Sequence, residues 1–280
     1  MSTIEVAGKE VPRLGFGAMR VMGALGSDGK PDREASRALI RRAVELGARF
    51  IDTANIYGDG YSEEVIAEAL HPYADDLLIA TKGGLVGGAA RRPNPDGRPN
   101  TDGRPDSLKQ ACEASLRRLR LDTIDLYQLH APDPDVPFEE SIGALIELRD
   151  EGKIRHIGLS NLGRRQIAAA SALTPIASVQ NRYNHDDRAS EGVIDMCEEH
   201  GIAFLPWGPV QVGDDTAVAG VAEKHGVSTQ QAALAWLLAR SSTMLPIPGT
   251  SSIAHLEQNV AAADIALDPG DVELLNATAG

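Results

Sequence analysis

The chain has 280 residues, 42% of them apolar, enough for a large core and close to the size of one α/β barrel, so a single domain over residues 1–280 is expected. Its formal charge of −13 sets a field that repels nucleic acid and acidic membranes, and both are excluded as partners. Two cysteines, Cys112 and Cys197, sit in amphipathic helical patterns, and no signal-like or membrane-length apolar stretch is present, so a reducing, cytoplasmic setting is expected.

The first residues, IEVAGKEV, alternate around Gly8 and read as a short β-hairpin able to plug one end of a barrel. A short apolar run, a loop and a helical segment then recur about eight times. The strands are expected at Leu14–Phe16, Phe50–Asp52, Leu78–Ala80, Asp125–Leu129, His156–Leu159, Ala177–Gln180, Ala203–Pro206 and Met244–Ile247. The helices are expected at Arg33–Leu46, Ser62–Leu70, Ser107–Leu119, Phe138–Glu151, Arg164–Ala170, Ala189–His200, Thr229–Ala239 and Ile253–Ala262. Gly47, Gly152 and Gly201 follow helical segments as C-terminal caps just before a strand re-enters. Residues 83–105 are rich in Gly and Pro and too long for an ordinary connection, which marks a functional or irregular loop. The segment DPGDVELLNATA reads as an extra C-terminal helix outside the barrel. Such βα units require parallel strands, in either a closed barrel or a doubly wound open sheet.

The polar residues choose between these. Asp52 ends the second strand, Tyr57 lies in the loop after it, Lys82 follows the third strand and His130 the fourth. All four lie at the C-terminal ends of neighbouring strands, where a closed barrel builds its sites. LGFGAMR at 14–20 is not the GxGxxG turn of an open dinucleotide-binding sheet. The fold class is therefore α/β, an (α/β)8 TIM barrel with an N-terminal β-hairpin and an extra C-terminal helix. A free phenol, with a pKa of about 10, is too weak an acid near neutrality, and a neighbouring cation lowers that value. Lys82 supplies the cation, Asp52 holds it, and His130 polarises a carbonyl oxygen. With no activated Ser or Cys nearby, the nucleophile is a hydride from a cofactor. Singly, Asp52, Tyr57 and Lys82 read as a loop cap, an aromatic lid and a solvated charge; together they read as a catalytic group. The histidines show no HxH or HxxxH spacing, so no metal site is expected.

DTAxxYG, ATKGG, DLYQLH, IRHIGLSN, VQNRYN and IPGTSS…EQN, in this order from about Leu14 to the C-terminal helix, together resemble the aldo-keto reductase superfamily. The resemblance implies a nicotinamide cofactor bound without a Rossmann fold, Tyr57 as general acid, and Asp52, Lys82 and His130 assisting it. It implies that Ser160, Asn161 and Gln180 hold the carboxamide, although Ser160–Asn161 alone reads as an N-cap. Trp207 stands where many relatives stack a tyrosine on the nicotinamide. Gly249, Thr250, Ser251 and Ser252 precede a helix start and suit a phosphate, and Gln258 and Asn259 resemble the adenine-binding pair. Where relatives carry Lys and Arg for the 2′-phosphate of NADP, this chain has Gly249 and His255. NADP(H) is thus the expected cofactor, with NAD left open. Bacterial relatives sharing IPGTSS…HLE reduce pyridoxal, so pyridoxal-type and other small aromatic aldehydes are the candidate substrates.

Met19, Tyr57, Ala131 and the 83–105 loop, with Arg91 and Arg92, are expected to line the mouth. The segment 208–216 is short, which implies a cofactor only partly enclosed. The protein is expected to act as a monomer or weak homo-oligomer on a small carbonyl compound. A redox-sensing module with little turnover and a Schiff-base lyase using Lys82 are the alternatives.

Overall fold

A computed structural model describes residues 2–23, 32–87 and 100–278. The expected hairpin is present: β1 (Thr3–Val6) pairs antiparallel with β2 (Lys9–Pro12) across the turn at Ala7–Gly8. Seven parallel strands follow in chain order, β3 (Phe16–Gly17), β4 (Phe50–Asp52), β5 (Leu78–Gly83), β6 (Ile124–Leu129), β7 (Ile154–Ser160), β8 (Ser178–Gln180) and β9 (Ala203–Phe204), each beside the next.

The eighth expected strand, Met244–Ile247, is interrupted rather than regular. Phe204 donates its N–H to Thr243 O and Leu245 donates to Phe204 O, both at 2.9 Å, while Gly15 and Gly17 donate to the carbonyls of Pro246 (2.9 Å) and Pro248 (3.2 Å). Pro246 and Pro248 have no N–H, so the segment cannot sustain a continuous ladder on both sides. Their carbonyls nonetheless join the last strand to the first and close the ring. The (α/β)8 barrel expected from the sequence is the observed architecture.

The pleat sorts residues between two cores. Phe50, Leu78, Ala80, Leu126, Ala203, Leu205 and Leu245 pack inside with Val6 and Val11 of the hairpin. Their neighbours Ile51, Ile79, Tyr127, Ile157, Val179 and Phe204 face the helices. The hairpin thus fills the N-terminal end of the barrel, and Lys9 secures it by donating to Leu77 O (2.8 Å) and Asp125 Oδ2 (3.0 Å). The same inward alternation, continued toward the other end, places Asp52, Lys82 and Gln128 above this apolar plug.

The helices are α1 (Arg33–Glu45), α2 (Tyr61–Leu70), α3 (Pro105–Leu119), α4 (Phe138–Asp150), α5 (Arg164–Leu173), α6 (Glu191–His200), α7 (Thr216–His225), α8 (Thr229–Arg240), α9 (Ile253–Ala261) and α10 (Pro269–Ala277). Asp32 caps α1 by accepting from the N–H groups of Glu34 and Ala35, and Ser228 with Gln231 forms a capping box on α8. The sequence reading misses α7. Its signals are present: Asp215 caps it, Val218 and Val221 are buried at helical spacing, and Gly226 ends it at φ 65°. The expected C-terminal helix is α10. Arg188 donates to Leu275 O at 2.7 Å, near the carboxyl end of α10, and Trp236 Nε1–H donates to Asn276 Oδ1 at 2.9 Å. Both cysteines are buried and free. Among the described residues, no helix is long and apolar enough to cross a membrane.

The 83–105 loop enters and leaves through a pinched stem: Val86 N–H donates to Asn100 O (3.0 Å), Asp102 N–H to Gly84 O (2.9 Å), and Leu85 faces Thr101 in an antiparallel bridge. Arg91 and Arg92 lie outside the described residues.

Candidate active site

Lys82 is the structural centre of the site. Leu78, Ala80 and Lys82 alternate inward along β5, so Lys82 ends in the barrel axis with its side chain fully buried. Its ammonium donates to Asp52 Oδ2 at 2.7 Å, Thr53 O at 2.8 Å and Tyr57 Oη at 3.4 Å. Three acceptors for three N–H bonds leave no donor unsatisfied. Burial works against the charge, but the attraction of Asp52 and Tyr57 outweighs it and holds the Lys82 pKa above its ordinary value. The strand is also held from outside. Thr81, one residue earlier, faces the helices and donates to buried Glu63, which accepts from Arg118 Nε at 2.7 Å.

Tyr57 and His130 approach edge to face, with ring centroids 5.9 Å apart. The sequence reading expects Lys82 to lower the phenol's pKa. Lys82 does pull in that direction, but burial is the larger effect and the Tyr57 pKa is raised. Burial and the adjacent Lys82 charge drive the His130 pKa well below 6.5, so the imidazole is neutral. His130 Nδ1 is buried without a hydrogen-bond partner, and the ring borders the cavity.

Above these groups opens a cavity of about 890 Å3. Its walls carry Asp52, Tyr57 and His130, with Ser160, Asn161, Gln180 and Trp207, and also Gly249, Thr250, Ser251, His255, Gln258 and Asn259. The structure therefore brings nearly all the predicted residues to one surface. Lys82 and Ser252 are the exceptions: Lys82 lies fully buried behind the wall, and Ser252 Oγ accepts from His255 N–H as the N-cap of α9. Ala131 is buried beside His130 and also lies off the wall. Ser160 and Asn161 do not cap the next helix. That place belongs to Gly163, because β7 runs through Ser160 and the chain needs three further residues to turn.

Asn161 adopts φ 59°, and its amide is engaged at both ends. Nδ2 donates to His130 O (2.9 Å) and Ser160 Oγ (3.1 Å), while Oδ1 accepts the indole N–H of Trp207 (3.0 Å). The Arg182 guanidinium lies over the indole, 5.7 Å from its centroid. Trp207 is thus a flat wall with its orientation fixed. Under the far end of the cavity two backbones meet closely: a Cβ on Gly249 would lie 2.7 Å from Gly17 O, and one on Gly17 would lie 2.6 Å from Ile247 O. Only glycine fits either place, and the floor there is bare backbone.

Three residues escape the sequence reading. Gln128, two positions before His130 in LYQLH, points inward by the same period of two, and its Nε2 donates to Asp52 Oδ1 at 3.1 Å. Thr53 contributes through its carbonyl, which no side-chain pattern announces. Arg20 sits in a 3-10 turn, Ala18–Gly23, that lies against Ser251, and it borders the cavity without a hydrogen bond or ion pair among the described residues. Among those residues no group of His, Cys, Asp and Glu is arranged to hold a metal.

Comparison with known proteins agrees with this geometry. The model of the aldo/keto reductase family matches residues 13–279. The chain is 44% identical to an uncharacterized oxidoreductase of Schizosaccharomyces pombe, over 95% of this chain and 86% of the other. It is 39% identical to pyridoxine 4-dehydrogenase of Escherichia coli, over 95% and 94%. Among solved structures, a thermostable aldo-keto reductase in complex with the inhibitor epalrestat superposes with a TM-score of 0.84 at 32% identity, covering 99% of both chains. An aldo/keto reductase of Klebsiella pneumoniae in complex with NADP and acetate superposes at 0.80 with 29% identity, covering 98% and 94%. The fold, the inward polar layer and these matches lead to one conclusion: the chain belongs to the aldo/keto reductase family.

Proposed function

We propose that the protein reduces an aldehyde or ketone to an alcohol with NADPH, Tyr57 acting as the general acid. The observation that carries this reading is the fully buried Lys82 ammonium, held between Asp52 and the Tyr57 hydroxyl at the closed end of the cavity. When bound, the reduced nicotinamide supplies the hydride. Everything else falls to the chain. Tyr57 donates its proton to the carbonyl oxygen, and the Lys82 charge beside it stabilises the phenolate that remains. Neutral His130 gives an N–H to the same oxygen without competing for the proton.

The residues suit the cofactor. Trp207 offers a stacking wall, Gln180 faces the carboxamide position, and the glycine-lined floor between Gly17 and Gly249 admits a pyrophosphate close to backbone. Gln258 and Asn259 stand at the adenine end. Gly249 and His255 bring no permanent charge to the phosphate turn, and Arg20, which has no hydrogen bond or ion pair among the described residues, is a cation on the same cavity wall. We assign Arg20 the phosphate charge, which supports NADP(H) over NAD(H).

Lys82 does not suit a Schiff-base role, because its pKa is raised and its three N–H bonds are engaged, leaving no lone pair to attack a carbonyl. The substrate end is apolar, bordered by Met19, Ile56 and Leu85, which fits a small, weakly charged aldehyde. The likeness to pyridoxine 4-dehydrogenase supports pyridoxal-type aldehydes as first choice. Fluorescence titration with NADPH and NADH, followed by a carbonyl panel, tests this. Saturable NADPH binding and consumption of NADPH with an aldehyde are expected; failure to bind either reduced cofactor contradicts it.

A further inference from the structure

Arg182 carries a charge that the reaction above leaves unused. It follows β8, two residues past Gln180, and meets Trp207 in a parallel bridge. Its guanidinium carbon lies over the indole, 5.7 Å from the ring centroid. Trp207 borders the cavity and Arg182 does not, so the cation stands behind the indole as seen from the cavity. Bonds along its edge hold it there: Nε lies 3.1 Å from Asp187 Oδ2, and Nη2 donates to Gln211 Oε1 at 3.1 Å. Both acceptors are themselves fixed. Asp187 Oδ1 accepts the N–H of Ala189 at 3.2 Å, and Gln211 Oε1 lies 3.4 Å from Asn184 Nδ2.

The charges on the other side of the indole are balanced. The Lys82 ammonium is matched by Asp52, and His130 is neutral. Asp187 answers the Arg182 charge only in part, because it meets the guanidinium at its edge while the π electrons of the indole lie on another side of it. The two oxidation states of a nicotinamide differ in their response to such a neighbour by one full charge: the oxidised ring is a cation and the reduced ring is neutral. A cation stacked on the cavity face of the indole shares π electrons already drawn toward Arg182 and meets a like charge across the ring. A neutral ring meets neither penalty. The Arg182 side chain is 48% exposed, and water and salt screen it, which limits the effect to a few-fold.

We propose that Arg182 is a specificity-determining residue whose charge, placed behind Trp207, sets the site against the oxidised nicotinamide and in favour of the reduced one. This rests on the NADPH reading above and adds to it a preference between the two forms of one cofactor. The consequence lies in loading. When both forms are present, the site takes up the reduced cofactor ahead of the oxidised one and releases the oxidised product more readily, which directs the protein toward carbonyl reduction.

The test measures Kd for NADPH and for NADP⁺ by calorimetry, on the wild type, Arg182→Met and Asp187→Asn. The ratio of the NADP⁺ Kd to the NADPH Kd isolates the nicotinamide ring, since the two ligands are otherwise alike. Arg182→Met keeps an apolar stem beside the indole and removes the charge, and the ratio should fall about threefold. Asp187→Asn leaves Arg182 charged without its counter-ion, and the ratio should rise about twofold. Loosened packing or a shifted loop would weaken both ligands alike and cannot drive the ratio in opposite directions in the two variants. A ratio that holds in either variant, or that moves the same way in both, overturns the proposal and leaves the cofactor reading standing. Failure of the wild type to bind either cofactor is a separate outcome, which overturns the NADPH reading and this proposal with it.

Discussion

The two ends of the cavity are built on opposite terms. At the closed end, Lys82, Asp52, Gln128 and Gln180 are buried and nearly every polar atom has a protein partner at 2.7–3.4 Å. At the open end, Arg20 and His255 are exposed, and the backbone of Gly17 and Gly249 is bare. The difference divides the labour. A closed polar network fixes geometry and protonation before anything binds, which suits the invariant part of a reaction. An open rim with unspent donors and charge suits recognition, where a single residue changes which ligand is held.

The comparison predicts that substitutions at the closed end cost both stability and chemistry, while those at the rim move binding alone. Lys82→Met should have the largest effect. It leaves a buried carboxylate without its counter-charge, so turnover is lost and stability falls by about 3 kcal/mol, read from kinetics and chemical denaturation. A fully active or equally stable variant would break the comparison.

The pH dependence comes next. Because the His130 pKa lies well below 6.5, its imidazole stays neutral at working pH, so the reduction rate should show no inflection between about pH 6 and 8. In the proposed mechanism the reverse oxidation needs the Tyr57 phenolate. With that pKa raised above 10.0, the oxidation rate should climb about tenfold per pH unit up to pH 10 without levelling. An early plateau would place the phenol's pKa lower than its burial implies.

At the rim, Arg20→Gln should weaken NADPH about tenfold and NADH less, with kcat and thermal stability unchanged. Equal losses for both cofactors would move Arg20 away from the 2′-phosphate. The smallest effect is expected for Trp207→Phe, which keeps a stacking ring but loses the N–H bond to Asn161: about threefold in Kd, measured by quenching of the remaining protein fluorescence.

Legibility in the sequence follows the same division. The strand-end positions of Asp52, Tyr57 and His130 were readable because a barrel's period and polarity announce them, and the glycine caps at Gly47, Gly152 and Gly201 fixed the helix ends. The break at Met244–Pro248 was not, since an apolar run reads as a strand until its prolines are set against the ladder they interrupt. Helix α7 escapes the sequence pattern although Asp215 and Gly226 mark its ends, because TAVAGVA is small or apolar at nearly every position and shows little helical period. Gln128 carries the right period yet looks like an ordinary polar residue; its meaning depends on Asp52, 76 residues earlier, meeting it inside the barrel. The acidity of Tyr57 is hidden from the sequence for a related reason. A nearby cation is visible in sequence, whereas the depth of burial that opposes it is a property of the packed barrel.

The central claim is that the buried network exists to make Tyr57 a proton donor to a carbonyl. It is tested most directly by Tyr57→Phe, with NADPH affinity and aldehyde reduction measured on the same preparation. The expected result is a loss of kcat by about 10²- to 10⁴-fold with the NADPH Kd unchanged. Reduction at the wild-type rate by the phenylalanine variant would contradict it.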